Sequence, residues 1–327
     1  MRAQYIELLE AARQTCQACR VKAGEAVVVF SDTTKNEVLV EAFYAAAVSM
    51  GAQATLVLSK AERVPLVDPP AAAVAAMMEA DMVFDLATQP WLYTEATNKI
   101  LGRGARVLQV LADESSVIHR PPTPEISERS ARLAARLKGQ RIRITSQLGT
   151  DLRVERDDRP VHFQDGCVTH AGDWDSLGVV VAAFAPPETK AEGRVIVNGP
   201  VYLGPRLNFH VETPVVFELA GGRVVGTTGE GREAKIIARF FEESGDPNAR
   251  VIAHTGFGMD PRADIWGADI GNWESYDGGI NVAFGGNNIP QLQGRTACRV
   301  HVDTILVGAT LSVDGKEVVR DGIFADG

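Results

Sequence analysis

The most chemically capable pair in the sequence is His301-Val302-Asp303. It lies within Arg299-Val300-His301-Val302-Asp303-Thr304-Ile305-Leu306-Val307, whose β-branched residues predict a strand. Side chains alternate along a strand, so His301 and Asp303 point to one side with Cα atoms about 7 Å apart. An imidazole and a carboxylate on one rigid strand suit a metal ion. A plain His–Asp hydrogen bond at a sheet surface has the same pattern. His254 is the second candidate. The apolar run Val251-Ile252-Ala253 reads as a strand that delivers it to a loop with two glycines, Gly256 and Gly258. Glycine there lets the backbone turn sharply or approach another group closely, which would aim the histidine into a cavity.

Two domains are expected to position these residues. Residues 1–120 alternate helix and strand. Apolar periodicity predicts a helix over Tyr5–Cys19, and Ala26-Val27-Val28-Val29-Phe30 reads as a strand buried on both faces. Ser31-Asp32-Thr33-Thr34 offers N-caps for a helix reaching Met50. Strands are expected at Ala54–Leu58, Met82–Asp85 and Arg106–Val110, and helices at Ala71–Ala80 and Thr94–Leu101. This is an α/β domain with a mostly parallel sheet. The proline-rich joint His119-Arg120-Pro121-Pro122-Thr123-Pro124 marks the boundary. Residues 121–327 read as an α+β domain with a large, mainly antiparallel sheet. Its helices are Glu125–Leu137 and Ala234–Glu242, and its hairpin turns fall at Gly221-Gly222 and Asp314-Gly315.

Composition excludes several functions. The net charge of −9, with no basic tract, argues against a nucleic-acid partner. No apolar run is long enough to span a membrane, and the first residues lack the apolar core of a signal peptide, so the cytoplasm is the expected location. Cys16-Gln17-Ala18-Cys19 has redox-pair spacing, but it falls in a helix ahead of the first strand and reads as two helical thiols. Ligands of open α/β sheets gather beyond the carboxyl ends of the strands. The loops there carry no glycine-rich phosphate motif, so a nucleotide cofactor is not expected. Trp91 and Tyr93 in the second of these loops could wall a flat ligand or simply pack on a neighbouring domain.

His301 to Gly308, the following Asp314-Gly315, Val251 to Pro261, and Asn281-Val282-Ala283-Phe284-Gly285 together resemble the aminopeptidase T/aminopeptidase S metallopeptidases. Tyr5-Ile6-Glu7-Leu8-Leu9 and Lys22-Ala23-Gly24-Glu25 fit the N-terminal domain of that family, so the likeness spans most of the chain. In those peptidases two metals are held by two glutamates, two histidines and an aspartate, with a tyrosine nearby. Here His301 and Asp303 are kept, His254 stands in place of a glutamate, Asn281 replaces a histidine, and the other glutamate is missing near Ser176–Val180. The remaining set of His254, His301 and Asp303 resembles the 2,5-dihydroxypyridine dioxygenases of nicotine and nicotinate breakdown, a branch of the same superfamily.

The resemblance implies one Fe(II) on these three residues, a small aromatic substrate, dioxygen, and a homo-oligomeric enzyme. The ring would open between C5 and C6 to give N-formylmaleamate. Deprotonating its hydroxyl needs a base, for which His170 is the candidate and His210 a weaker one. Asn281 could hydrogen-bond substrate or water, or merely fill space, and it joins Trp91 and Tyr93 as a candidate substrate contact. Two alternatives are a single-zinc hydrolase, using Glu274 or Asp277 as base, and an idle binding protein on a peptidase scaffold.

Overall fold

In a computed structural model, residues 3–325 are described. They form two compact units. Among the described residues the first comprises 3–128, 164–180 and 268–272; the second comprises 129–163, 181–267 and 273–325. The chain therefore leaves the first unit eight residues after the expected boundary and returns to it twice.

The first unit is built on a five-stranded parallel sheet in the order Gln53–Ser59, Ala26–Asp32, Met82–Asp85, Arg106–Gln109, Trp174–Ser176. The first four strands follow the apolar runs. The fifth comes from a segment with no such run, and only its pairing to Arg106–Gln109 makes it a strand. The helix Glu37–Ser49 starts later than Ser31–Thr34 would place it. Its N-cap is Asn36, whose side chain accepts from the Val38 N–H. The earlier residues are used elsewhere: the Asp32 carboxylate accepts from the N–H and hydroxyl of both Thr34 and Thr88, fastening two loops at the carboxyl end of the sheet. Cys16 and Cys19 are buried free thiols. Burial pushes Cys16 up to about 12 and Cys19 higher still, so neither is a nucleophile at neutral pH.

Asp85 ends the third strand in this sheet and is also buried. Burial pushes its carboxyl up to about 6, against the Ala87 N–H that donates to it and the charge of Lys35. Its folded pKa thus lies above the unfolded value, and the folded state binds the extra proton between about pH 4 and pH 6. Stability is expected to fall as pH rises through that window, by up to about 3 kcal/mol from this group. Asp85→Asn keeps an acceptor for Ala87 and should flatten this part of the profile, as urea midpoints at pH 4.5 and pH 7 would show.

The second unit carries two antiparallel sheets where one was expected, with eight and seven strands. The hairpins appear as the turn residues require. Gly221 and Gly222 join Val215–Ala220 to Arg223–Thr228, while Asp314 and Gly315 join Thr310–Val313 to Lys316–Arg320. All four turn residues have positive φ, the geometry that matches strand twist. The sheets meet through aromatic rings: Phe217 of the larger packs edge-on against Phe284 of the smaller, with centroids 5.4 Å apart. Phe284 thereby fixes the core face of the seven-stranded sheet, and residues alternating with it face the other way. Among the described residues no helix is long and apolar enough to cross a membrane.

Candidate metal centre

Three neighbouring strands of the seven-stranded sheet build the site: His301–Leu306, Ile280–Gly285 and Ile252–Gly258, in that order. Asp303 pairs with Ala283, and Ala283 pairs with His254, so these three residues form one row across the sheet. Facing residues of an antiparallel ladder share a side. The row continues to Tyr202, which pairs with Asp303 from the strand Pro200–Tyr202. His301, two residues before Asp303, and Asn281, two before Ala283, lie on the same face.

His254 reaches this face through a β-bulge. Ile252 pairs with Phe284, but the next ladder partner, Ala283, takes His254 rather than Ala253. In an unbroken ladder Ala253 would oppose Ala283, and His254 would oppose Val282 on the core face. The extra residue turns the imidazole round.

The three candidate ligand atoms form a nearly equilateral triangle. His254 Nε2 is 3.2 Å from His301 Nε2 and 3.5 Å from Asp303 Oδ1, and His301 Nε2 is 3.3 Å from Asp303 Oδ1. A metal with bonds of about 2.1 Å separates its ligands by about 3.0 Å at right angles and about 3.4 Å at the tetrahedral angle. The triangle fits either. His301 Nδ1 donates to the Gly286 carbonyl at 2.7 Å, the tautomer in which Nε2 carries the lone pair and faces the other two residues. His254 Nδ1 is buried without a hydrogen-bond partner. Among the described residues this is the one cluster of three or more His, Cys, Asp or Glu side chains whose ligand atoms converge.

The electrostatics match a cation site. Burial would raise Asp303, yet His301 and His254 outweigh it and hold the carboxyl far below its usual range. Burial would lower His301, but Asp303 and the Gly286 carbonyl hold it up. Burial depresses His254 in spite of Asp303.

Asn281 bridges two carboxyl groups: its Nδ2 lies 2.8 Å from Glu274 Oε1 and 3.3 Å from Asp303 Oδ1, while its Oδ1 is buried without a partner. Burial and the charge of Asp303 push Glu274 well above its ordinary value, and burial with the same two carboxyls pushes the Tyr202 hydroxyl upward. The family resemblance calls for a tyrosine near the site, but no local pattern singles out Tyr202, because its place depends on a strand pairing across about a hundred residues. The other expected site residues belong to the first unit. Trp91 is buried with its ring edge-on to Phe30, and Tyr93 has a φ of +70° in the same loop. His170 is exposed, with Nδ1 3.1 Å from the Thr169 hydroxyl and 3.4 Å from Asp173. His254, His301, Asp303 and Asn281 are thus brought together in the second unit.

Residues 7–326 match the family model for NicX, 2,5-dihydroxypyridine 5,6-dioxygenase. The chain belongs to this family. A curated 2,5-dihydroxypyridine 5,6-dioxygenase of Pseudomonas putida is 26% identical over 260 residues, covering 77% of this chain and 73% of that one. The solved structure of the 2,5-dihydroxypyridine dioxygenase from Pseudomonas putida KT2440 matches with a TM-score of 0.88 and 21% identity, over 99% of this chain and 98% of that chain. AmpT from Thermus thermophilus matches with a TM-score of 0.62 and 16% identity, over 98% and 99%. At such identities the structural likeness establishes the fold alone, which this chain shares with both proteins.

Proposed function

We propose that the protein is a mononuclear non-heme iron(II) dioxygenase that opens 2,5-dihydroxypyridine between C5 and C6 to give N-formylmaleamate. The observation that carries this reading is the convergence of two imidazole nitrogens and one carboxylate oxygen at 3.2–3.5 Å in a chain of this family. Two histidines and one carboxylate are the facial set of iron(II) oxygenases, which leaves positions open for other ligands. Iron(II) would supply the electron chemistry that lets dioxygen react with the ring.

The chain's own contribution is arrangement. The Gly286 carbonyl fixes the tautomer and tilt of His301. Asn281 ties the Glu274 and Asp303 carboxyls together, so neither swings freely. Both atoms of dioxygen enter the product: the hydroxyl-bearing C5 becomes the carboxylate, C6 becomes the N-formyl group, and one proton is released.

A single-zinc hydrolase is the second reading, favoured by the Glu274 carboxyl beside the ligand set, where a metallohydrolase keeps its base. Anaerobic reconstitution of metal-free protein with iron(II) or zinc separates the two. Oxygen uptake with 2,5-dihydroxypyridine, and N-formylmaleamate by mass spectrometry, are expected with iron(II) alone. Zinc or cobalt protein should leave leucine p-nitroanilide intact. No uptake with any metal, together with hydrolysis by the zinc form, would overturn the dioxygenase reading.

A further inference from the structure

A single dipeptide, Gly286-Asn287, hydrogen-bonds to His301 and to Ala253, the residue preceding His254. The Gly286 carbonyl accepts from His301 Nδ1 at 2.7 Å. The adjacent Asn287 is fully buried, and its Nδ2 donates to the carbonyl of Ala253 at 3.0 Å. Ala253 is the extra residue of the bulge that turns His254 toward Asp303. A bulge interrupts the ladder and leaves backbone groups in need of other partners. The Asn287 side chain provides one at the residue where the register changes.

Asn287 is itself locked. Its Oδ1 accepts from Thr296 N–H at 2.8 Å, and its own N–H donates to the Thr296 carbonyl at 3.0 Å. Its carbonyl accepts from Ile289 N–H at 2.9 Å, so every hydrogen bond counted here draws on a different group. A Cβ on Gly294 would fall 2.3 Å from the Asn287 amide group, so glycine leaves that side chain its room. Preceding the dipeptide, Gly285 has a φ of +102°, and a Cβ there would meet the Val300 carbonyl at 2.2 Å. The glycine lets the strand turn out of the ladder next to His301, which is its register partner.

We infer that Asn287 is a positioning residue for the metal centre, setting the side to which His254 points through the Ala253 bulge while its neighbour Gly286 sets His301. This rests on the assignment of His254, His301 and Asp303 as ligands, and it holds for any divalent ion bound there. Asn287→Asp is nearly isosteric and keeps the acceptor for Thr296, but loses the donor to Ala253.

The test is metal binding, not turnover. Zinc affinity is measured against a competing chelator, and the cobalt(II) absorption bands are recorded on folded protein. Asn287→Asp should bind zinc about 10- to 100-fold more weakly, the range for groups that orient a ligand, with shifted cobalt bands and unchanged far-ultraviolet circular dichroism. Thr150→Val is the control: it removes the hydroxyl that accepts from Ile196 N–H in the other sheet, and should lower stability with affinity and cobalt bands unchanged. If Asn287→Asp does not fold, Asn287→Ala removes the same donor without setting a carboxylate against a carbonyl, and is read the same way. A folded variant with wild-type affinity and bands, however destabilised, would overturn the inference. Absence of zinc and cobalt binding by the wild-type protein would instead overturn the ligand assignment on which it rests.

Discussion

His254→Glu is expected to lose at least about 1000-fold in oxygen uptake with 2,5-dihydroxypyridine, a barrier increase on the order of 4 kcal/mol, while remaining folded. The wild-type imidazole meets its two partners at 3.2 Å and 3.5 Å, a spacing suited to a rigid ring. Glutamate replaces a neutral nitrogen donor with a charged oxygen on a longer, more flexible arm. It also adds a third carboxyl to a buried group that already holds Asp303 and Glu274 in contact. The electron density at a bound ion and the room around it both change. The fold should survive, since the side chain leaves the face opposite to Phe284, through which the two sheets of the second unit pack. An oxygen electrode, circular dichroism and iron content check the three parts. An iron-bound variant with full activity would remove His254 from the site.

Asp303→Asn is expected to weaken divalent-metal binding by more than about 100-fold, beyond the range seen for groups behind the ligands, and to abolish uptake. Asparagine has the same shape but no charge, and Asp303 is the carboxylate that both imidazoles face. The pH response of the metal-free protein should change with it. The depressed Asp303 pKa contributes stability present above about pH 4 and lost as pH falls through the folded value. The raised His301 pKa contributes stability present below about pH 6.5 and lost as pH rises through its folded value. Both contributions depend on the pair, so the variant's denaturation midpoints should vary less at either end. Chelator competition and urea titrations across pH measure the two effects. Metal retention at wild-type affinity would show that Asp303 is not a ligand.

The parts legible in the sequence are those written in local pattern. His301 and Asp303 share a face because a strand alternates, and Gly221-Gly222 and Asp314-Gly315 make turns because those residues tolerate positive φ. The first four parallel strands fall where the apolar stretches between helices predict them. What stayed hidden depends on pairing. The Ala253 bulge reverses the direction of His254, yet nothing in Val251-Ile252-Ala253-His254 marks an extra residue. Tyr202 joins the row only because its strand pairs with Asp303 from far along the chain. Trp174–Ser176 becomes a strand by adding to an edge. The start of the helix at Asn36 was displaced by a tertiary contact, since Asp32 spends its oxygens on Thr34 and Thr88.

His254 and Asp303 belong to strands that do not touch, for Ile280–Gly285 runs between them. Two antiparallel pairings must therefore be in register before the ligands face one another, and 47 residues separate the two histidines. Of these three residues an unfolded chain keeps only His301 and Asp303 close together, so a metal would not seed this structure as it does in a zinc finger. It would arrive at a finished sheet and act as a brake on the way out. Binding would add stability by mass action and slow unfolding, while refolding would be paced by strand pairing. Such a centre would be emptied and refilled within an intact fold.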